Sequence, residues 1–94
     1  MKYRSRSEIT AMILQAANKG ATKTRIMYAA YLSYAQVKEY LAFLQSRGLL
    51  SYEEGTQLYK LTERGLKFLN TFDQISDMIS VDGAKTLDTI PLTG

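Results

Sequence analysis

Residues 20–65 carry start and stop signals in an order that few small folds accommodate. Ser33-Tyr34-Ala35-Gln36 is a capping box, in which a serine hydroxyl and a glutamine amide three residues apart each satisfy a free N–H at a helix start. Val37, Tyr40, Leu41 and Leu44 then recur at the i, i+3, i+4, i+7 interval of one helical face. Gly48 ends that helix after Arg47, a cation placed where the helix dipole favours it. Upstream, Thr22 starts a shorter helix over 22–30, with Ile26 and Ala30 inward and Tyr31-Leu32 as the turn. Downstream, Leu49-Leu50-Ser51-Tyr52 and Leu58-Tyr59-Lys60-Leu61 read as strands around Glu53-Glu54-Gly55-Thr56-Gln57. Thr62 caps a closing helix that continues to about Ser80, roughly 27 Å at 1.5 Å per residue.

A further helix precedes this run. Ser5 and Glu8 form another capping box, and Ile9, Met12, Ile13 and Ala16 share one face. Asn18-Lys19-Gly20 stops it. Taken together the elements predict a mainly α chain with a small β-hairpin: a winged helix-turn-helix with an extended C-terminal helix. The expected organisation is a winged-helix domain over 1–72, an extension of the last helix over 73–82 that serves dimerisation, and a flexible polar tail over 83–94.

Composition narrows the function classes. The chain has 94 residues, enough for one small domain that buries about 60–65% of its unfolded surface. Cysteine and histidine are both absent, which removes disulfides, thiolate metal sites and the commonest general base. Neither a Gly-rich phosphate loop nor a carboxylate pair flanked by apolar residues is present. The expectation is a protein that is not an enzyme and uses no cofactor or metal. No apolar run approaches the ~18 residues of a membrane span, and no signal-peptide core follows the N-terminus, so a cytoplasmic, nucleoid-associated location is expected.

Charge is unevenly placed. Residues 1–70 hold eleven Lys/Arg against five Asp/Glu, whereas 71–94 hold Lys85 against Asp73, Asp77, Asp82 and Asp88. A basic body with an acidic tail suits a protein that approaches a polyanion, although small proteins often carry a few net charges of either sign; the partner expected from the elements and the charge together is double-stranded DNA. Thr22, Lys23, Thr24 and Arg25 bring hydroxyls and two cations to one helix start, where cations oppose the dipole and propensity alone does not explain them. On the next helix, Ser33, Tyr34 and Gln36 occupy the first turn, and Ala35, Lys38, Glu39 and Ala42 point away from the apolar face. Gln36 has two possible uses, a bidentate pair with adenine or its own capping box; Lys38 is either a base or phosphate contact or a solvated lysine. Lys2, Arg4 and Arg6 form a basic arm that adds phosphate contacts in this reading. Glu53 and Glu54 at the hairpin tip would repel phosphates and leave Thr56, Gln57 and Lys60 to help. That acidic tip supports a second reading, a winged-helix module that binds protein and not DNA.

The runs Gly-Ala-Thr-Lys-Thr-Arg-Ile-Met-Tyr (20–28), Leu-Ser-Tyr (32–34), Tyr-Leu (40–41), Arg-Gly-Leu-Leu (47–50) and Tyr-Lys-Leu-Thr-Glu-Arg-Gly (59–65) resemble those of small archaeal winged-helix proteins. Those proteins are described as DNA-binding transcription regulators or chromatin-associated proteins, and the resemblance covers about residues 5–72. It implies DNA binding through the second and third helices. In some members it also implies dimerisation through a long C-terminal helix in an antiparallel coiled coil; the corresponding helix is shorter here. The residues themselves carry a related signal: Phe68, Phe72, Ile75 and Ile79 form a heptad-like stripe with Leu69 beside it. The body is expected to bury Leu66 and Leu69, and the stripe to hold a homodimer or to fold back on the first helix.

Overall fold

A computed structural model describes residues 4–78. Its elements run α1 (Arg6–Ala16), α2 (Lys23–Ala29), α3 (Tyr34–Ser46), β1 (Leu50–Glu53), β2 (Leu58–Leu61) and α4 (Glu63–Met78). The four helices and the antiparallel hairpin follow the predicted order, and the helix starts coincide with the predicted caps. Ser5 and Ser33 each complete a capping box, and the Thr22 hydroxyl accepts from the Arg25 amide. Residues 79–82, the end of the expected extension, and the tail over 83–94 lie outside the described residues.

Two helices end alike on different residues. After α3, the amides of Gly48 and Leu49 donate back to the carbonyls of Gln45 and Leu44, with Gly48 at φ +73°. This is a Schellman motif, whose left-handed residue is usually glycine. After α2 the same two bonds run from Tyr31 to Tyr28 and from Leu32 to Met27, but the left-handed position is Tyr31, at φ +54°. An L side chain there costs on the order of 1 kcal/mol, which its surroundings must offset.

The core lies where α1, α2 and α3 converge. Ile13, Leu14, Ile26, Val37 and Leu44 are fully buried, and so are Ala17 and Ala30. β1 pairs with β2 from Leu50↔Leu61 to Glu53↔Leu58. On its other edge β2 exchanges bonds with Ala21, through Ala21 N–H to the Tyr59 carbonyl (3.0 Å) and Tyr59 N–H to the Ala21 carbonyl (2.8 Å). The wing is thereby fixed to the segment that leads into α2.

Thr62 binds α4 to the end of α3. Its hydroxyl donates to the Gly48 carbonyl at 2.7 Å and accepts from the Gly65 amide at 2.9 Å. Gly65 then lies directly against Leu49: a Cβ at this position would collide with the Leu49 carbonyl oxygen and with a Leu61 methyl. This close approach turns Leu69, Phe68 and Phe72 toward the core, while Leu66, expected to be buried, remains 46% exposed on the far flank. Leu66 follows Gly65 by 100° on the helix, which carries it off the packed face. No helix among the described residues is long and apolar enough to cross a membrane.

Gly65→Ala should therefore lower stability by more than ~2 kcal/mol, because backbone rather than a flexible side chain blocks the added methyl. Gly55→Ala, with nothing within 4 Å, should stay within about 0.5 kcal/mol of the parent. Thermal and urea unfolding of the two variants checks both values.

Candidate nucleic-acid interface

The predicted interface residues divide between two sides of the helix pair. Lys23 and Arg25 are two positions apart on α2, hence about 200° apart around its axis. Lys23 is half-buried and points toward α3, where its Nζ lies 3.3 Å from the Tyr34 hydroxyl and 4.9 Å from the ring centroid. Arg25 faces the other way, into a recess with Gln15, Asn18 and Lys19 near the end of α1. Thr22 is the cap, and Thr24 is exposed. The side chains of Lys23 and Arg25 thus leave the start of α2 in different directions.

A similar division occurs on α3. The Gln36 carbonyl oxygen accepts from the Ser33 amide at 2.9 Å, and the Ser33 hydroxyl accepts from the Gln36 amide at 3.1 Å. The capping box uses one of the two acceptor lone pairs of the Gln36 side-chain amide and none of its N–H donors. Lys38 lies about 200° around the helix from Gln36, on the side of Lys23. Its Nζ is 5.6 Å from the Tyr34 ring centroid, so two ammonium groups share one aromatic ring that is itself 58% exposed. Ala35 and Glu39 are exposed nearby.

Lys23, Lys38, Ala42, Gln45 and Tyr59 line one depression between α2, α3 and the wing. Gln45 and Tyr59 belong to this surface although the residue patterns did not single them out. For Gln45 the signal was present, since Lys38, Ala42 and Gln45 follow the i, i+4, i+7 rule. For Tyr59 it was absent, because only the bond to Ala21 brings the wing there.

The arm and the wing contribute differently from the sequence expectation. Arg4 donates to the carbonyls of Ala30 and Tyr31 and lies 5.8 Å from the Tyr31 ring centroid. It closes the C-terminus of α2 and supports the left-handed tyrosine. Arg6 rests 5.4 Å from the Tyr40 centroid and 5.7 Å from that of Phe43. Both arginines are thus held against the body, and Lys2 lies outside the described residues. In the wing, Glu53 accepts from the Thr56 hydroxyl at 2.7 Å and pairs with Lys60 at 3.0 Å. The Thr56 hydrogen bond, then the bond and charge of Lys60, hold the Glu53 carboxyl below the ordinary carboxylate range. Thr56 and Lys60 therefore answer Glu53, and Glu54 remains as an exposed acid at the tip.

On α4, Phe68 and Phe72 are half-buried against the core and stack with centroids 6.2 Å apart. Phe72 shares a recess with Ala11, Met12 and Gln15 of α1. Ile75 and Met78 stay 54% and 80% exposed, and Ile79 is outside the described residues. The apolar side chains that face outward on the described helix are consequently Leu66, Ile75 and Met78, with Phe68 and Phe72 turned toward the core.

Three comparisons bear on this arrangement. The winged helix-turn-helix family model matches residues 3–80. An uncharacterized protein of Methanocaldococcus jannaschii is 32% identical over 78 residues, covering 82% of this chain and 78% of the relative. Among solved structures, Sso10a-2, a DNA-binding protein from Sulfolobus solfataricus, superposes with a TM-score of 0.78 at 22% identity, covering 95% of this chain and 96% of that one. The transcriptional repressor CouR, bound to p-coumaroyl-CoA, gives a TM-score of 0.60 at 19% identity, covering 97% of this chain and 72% of that one.

Arg4→Ala should destabilise the chain by about 1–2 kcal/mol, since charge-assisted bonds to two carbonyls are lost beside a strained residue. Lys19→Ala, exposed and distant, serves as the control. A loss of DNA affinity in Arg4→Ala with unchanged thermal stability would return Arg4 to the role of a phosphate contact.

Proposed function

The chain belongs to the winged helix-turn-helix family, and on that basis we propose that it binds double-stranded DNA, as a transcription regulator or an architectural protein. The Lys23–Tyr34–Lys38 cluster carries this reading. It joins the start of α2 to the first turns of α3 and places two ammonium groups at the edge of the small, exposed residues Ala35 and Ala42. Small side chains let a helix lie close to base edges, and flanking cations meet the phosphates on either side of the groove. In this reading α3 enters the major groove with Tyr34, Lys38 and Gln45 forward, while Thr22, Thr24 and Arg25 contact the backbone beside it. Ser33 and Gln36 hold the helix start in shape. The match to a DNA-binding protein over nearly the whole length of both chains supports the reading at the level of fold.

A protein-binding module is the second reading, favoured by Glu39 on the exposed side of α3 and by Glu54 at the wing tip. Ionic strength separates the two. DNA affinity should fall with salt at a log–log slope of about −0.9 per phosphate contacted. Replacing Lys23 and Lys38 together with Ala should weaken binding on every sequence and reduce the slope by about two contacts' worth. A slope that does not change in the double variant rejects this surface, and no salt-dependent binding at all favours the protein partner.

We further propose a homodimer through α4. Beyond the half-buried Phe68 and Phe72, Ile75 and Met78 leave apolar surface exposed on the second half of α4, which is costly at ~25 cal/mol per Å². Arg64 and Lys67 mark the first half of the helix, and Asp73 and Asp77 the second. An antiparallel crossing sets cations opposite acids, whereas a parallel one sets like charges together. Ile75→Asp should give a folded monomer in sedimentation velocity and weaken DNA binding substantially, since a two-fold pair doubles the phosphate contacts. A wild-type chain that sediments as a monomer at high micromolar concentration would end this proposal.

A further inference from the structure

The first turn of α1, the end of α3 and the first turns of α4 leave a groove of about 570 Å³ between them. Phe43, Leu44, Leu49 and Phe68 give it apolar walls. Arg6, Arg47, Arg64 and Lys67 give it four cations from three separate helices or their ends. No acidic residue lines it among the described residues, where the ion pair is the distant Lys60–Glu53. Arg6 and Arg47 both approach the Phe43 ring, at 5.7 and 5.2 Å from its centroid, and that ring stays 38% exposed. Like charges gathered over an apolar surface repel one another and gain when an anion joins them.

The geometry points to a binding site for a small organic acid with an apolar, preferably aromatic, body. The size suits such a ligand, since small-molecule pockets run from about 300 to 1,000 Å³ and combine apolar walls with a few polar anchors. The acid group meets the guanidinium groups of Arg6 and Arg47, which present paired N–H donors to a carboxylate or sulfonate. The body lies on Phe43, Leu49 and Phe68. A duplex would satisfy the cations but leave these apolar side chains uncovered, which is why a small amphipathic acid fits better than a phosphate backbone. Phe43 and Lys38 lie on different sides of α3, about 140° apart, so the groove is separate from the DNA surface proposed above. An acid bound here touches α1, α3 and α4 together and so reaches the helix proposed to read DNA without occupying its outer face.

Fluorescence titration of the full chain with anilinonaphthalene sulfonate tests this, beside phenylnaphthylamine, which has the same aromatic body without the acid. The sulfonate should saturate at one per chain and bind about tenfold more tightly than the neutral probe. The double variant Arg6→Gln, Arg47→Gln should lose about tenfold in sulfonate affinity, keep its affinity for the neutral probe and keep its melting temperature. Phe43→Ser should weaken both probes. Lys23→Ala with Lys38→Ala should leave sulfonate binding unchanged, so the site can fail or stand whatever becomes of DNA binding. Equal affinity for the two probes, binding that never saturates, or a double arginine variant that keeps sulfonate but loses random-sequence duplex would each overturn the proposal.

Discussion

The contact of Gly65 with the Leu49 carbonyl sets the geometry of everything downstream of α3. Thr62 makes it possible by bridging the Gly48 carbonyl and the Gly65 amide with a single hydroxyl, so the end of α3, the start of β1 and the start of α4 meet at one point. The wing can then return through β2 to Ala21, and α4 can lay Leu69, Phe68 and Phe72 on the core. Any side chain at position 65 would push α4 outward and open the groove between α1, α3 and α4. The small residue is required by backbone approach, and the Schellman turn at Gly48 directs the chain into that approach.

Electrostatics are distributed by side rather than by segment. Lys23 and Lys38 gather at Tyr34, while Arg6 and Arg47 gather at Phe43 on another side of α3. In each case an aromatic face offsets part of the repulsion between two cations, an interaction on the order of 0.5–1 kcal/mol when exposed. Arg4 belongs to neither surface, because its guanidinium closes the C-terminus of α2. The net charge of +3 says little about this, since its parts act in three different places.

Helix caps and apolar periods were legible because they are local. A capping box needs only residues three apart, so Ser5 with Glu8, Ser33 with Gln36 and Thr22 alone located three helix starts. The inward face Val37, Leu41 and Leu44 followed from helical spacing, and the order of elements followed from those boundaries. The same locality explains the Gln36 outcome: its cap was as readable as its base contact, and a bond to a residue already three positions away forms without help from the rest of the chain.

Tertiary structure decided what depends on distant residues. Sequence placed Lys23 and Arg25 together, but rotation about α2 sends one to Tyr34 and the other toward α1. It gave Arg4 and Arg6 to a free arm, whereas a helix C-terminus 26 residues away from Arg4 holds the first and an aromatic pair on α3 holds the second. It drew the α4 stripe through Phe72 and placed Leu66 inside, and the Gly65 contact rotated the helix so that Phe72 packs inward and Leu66 does not. Helical period states which residues share a face; only the partner that packs there determines which face is in. Chain order and element type thus came from local physics, and the assignment of each charged or aromatic side chain to a surface came from packing across the fold.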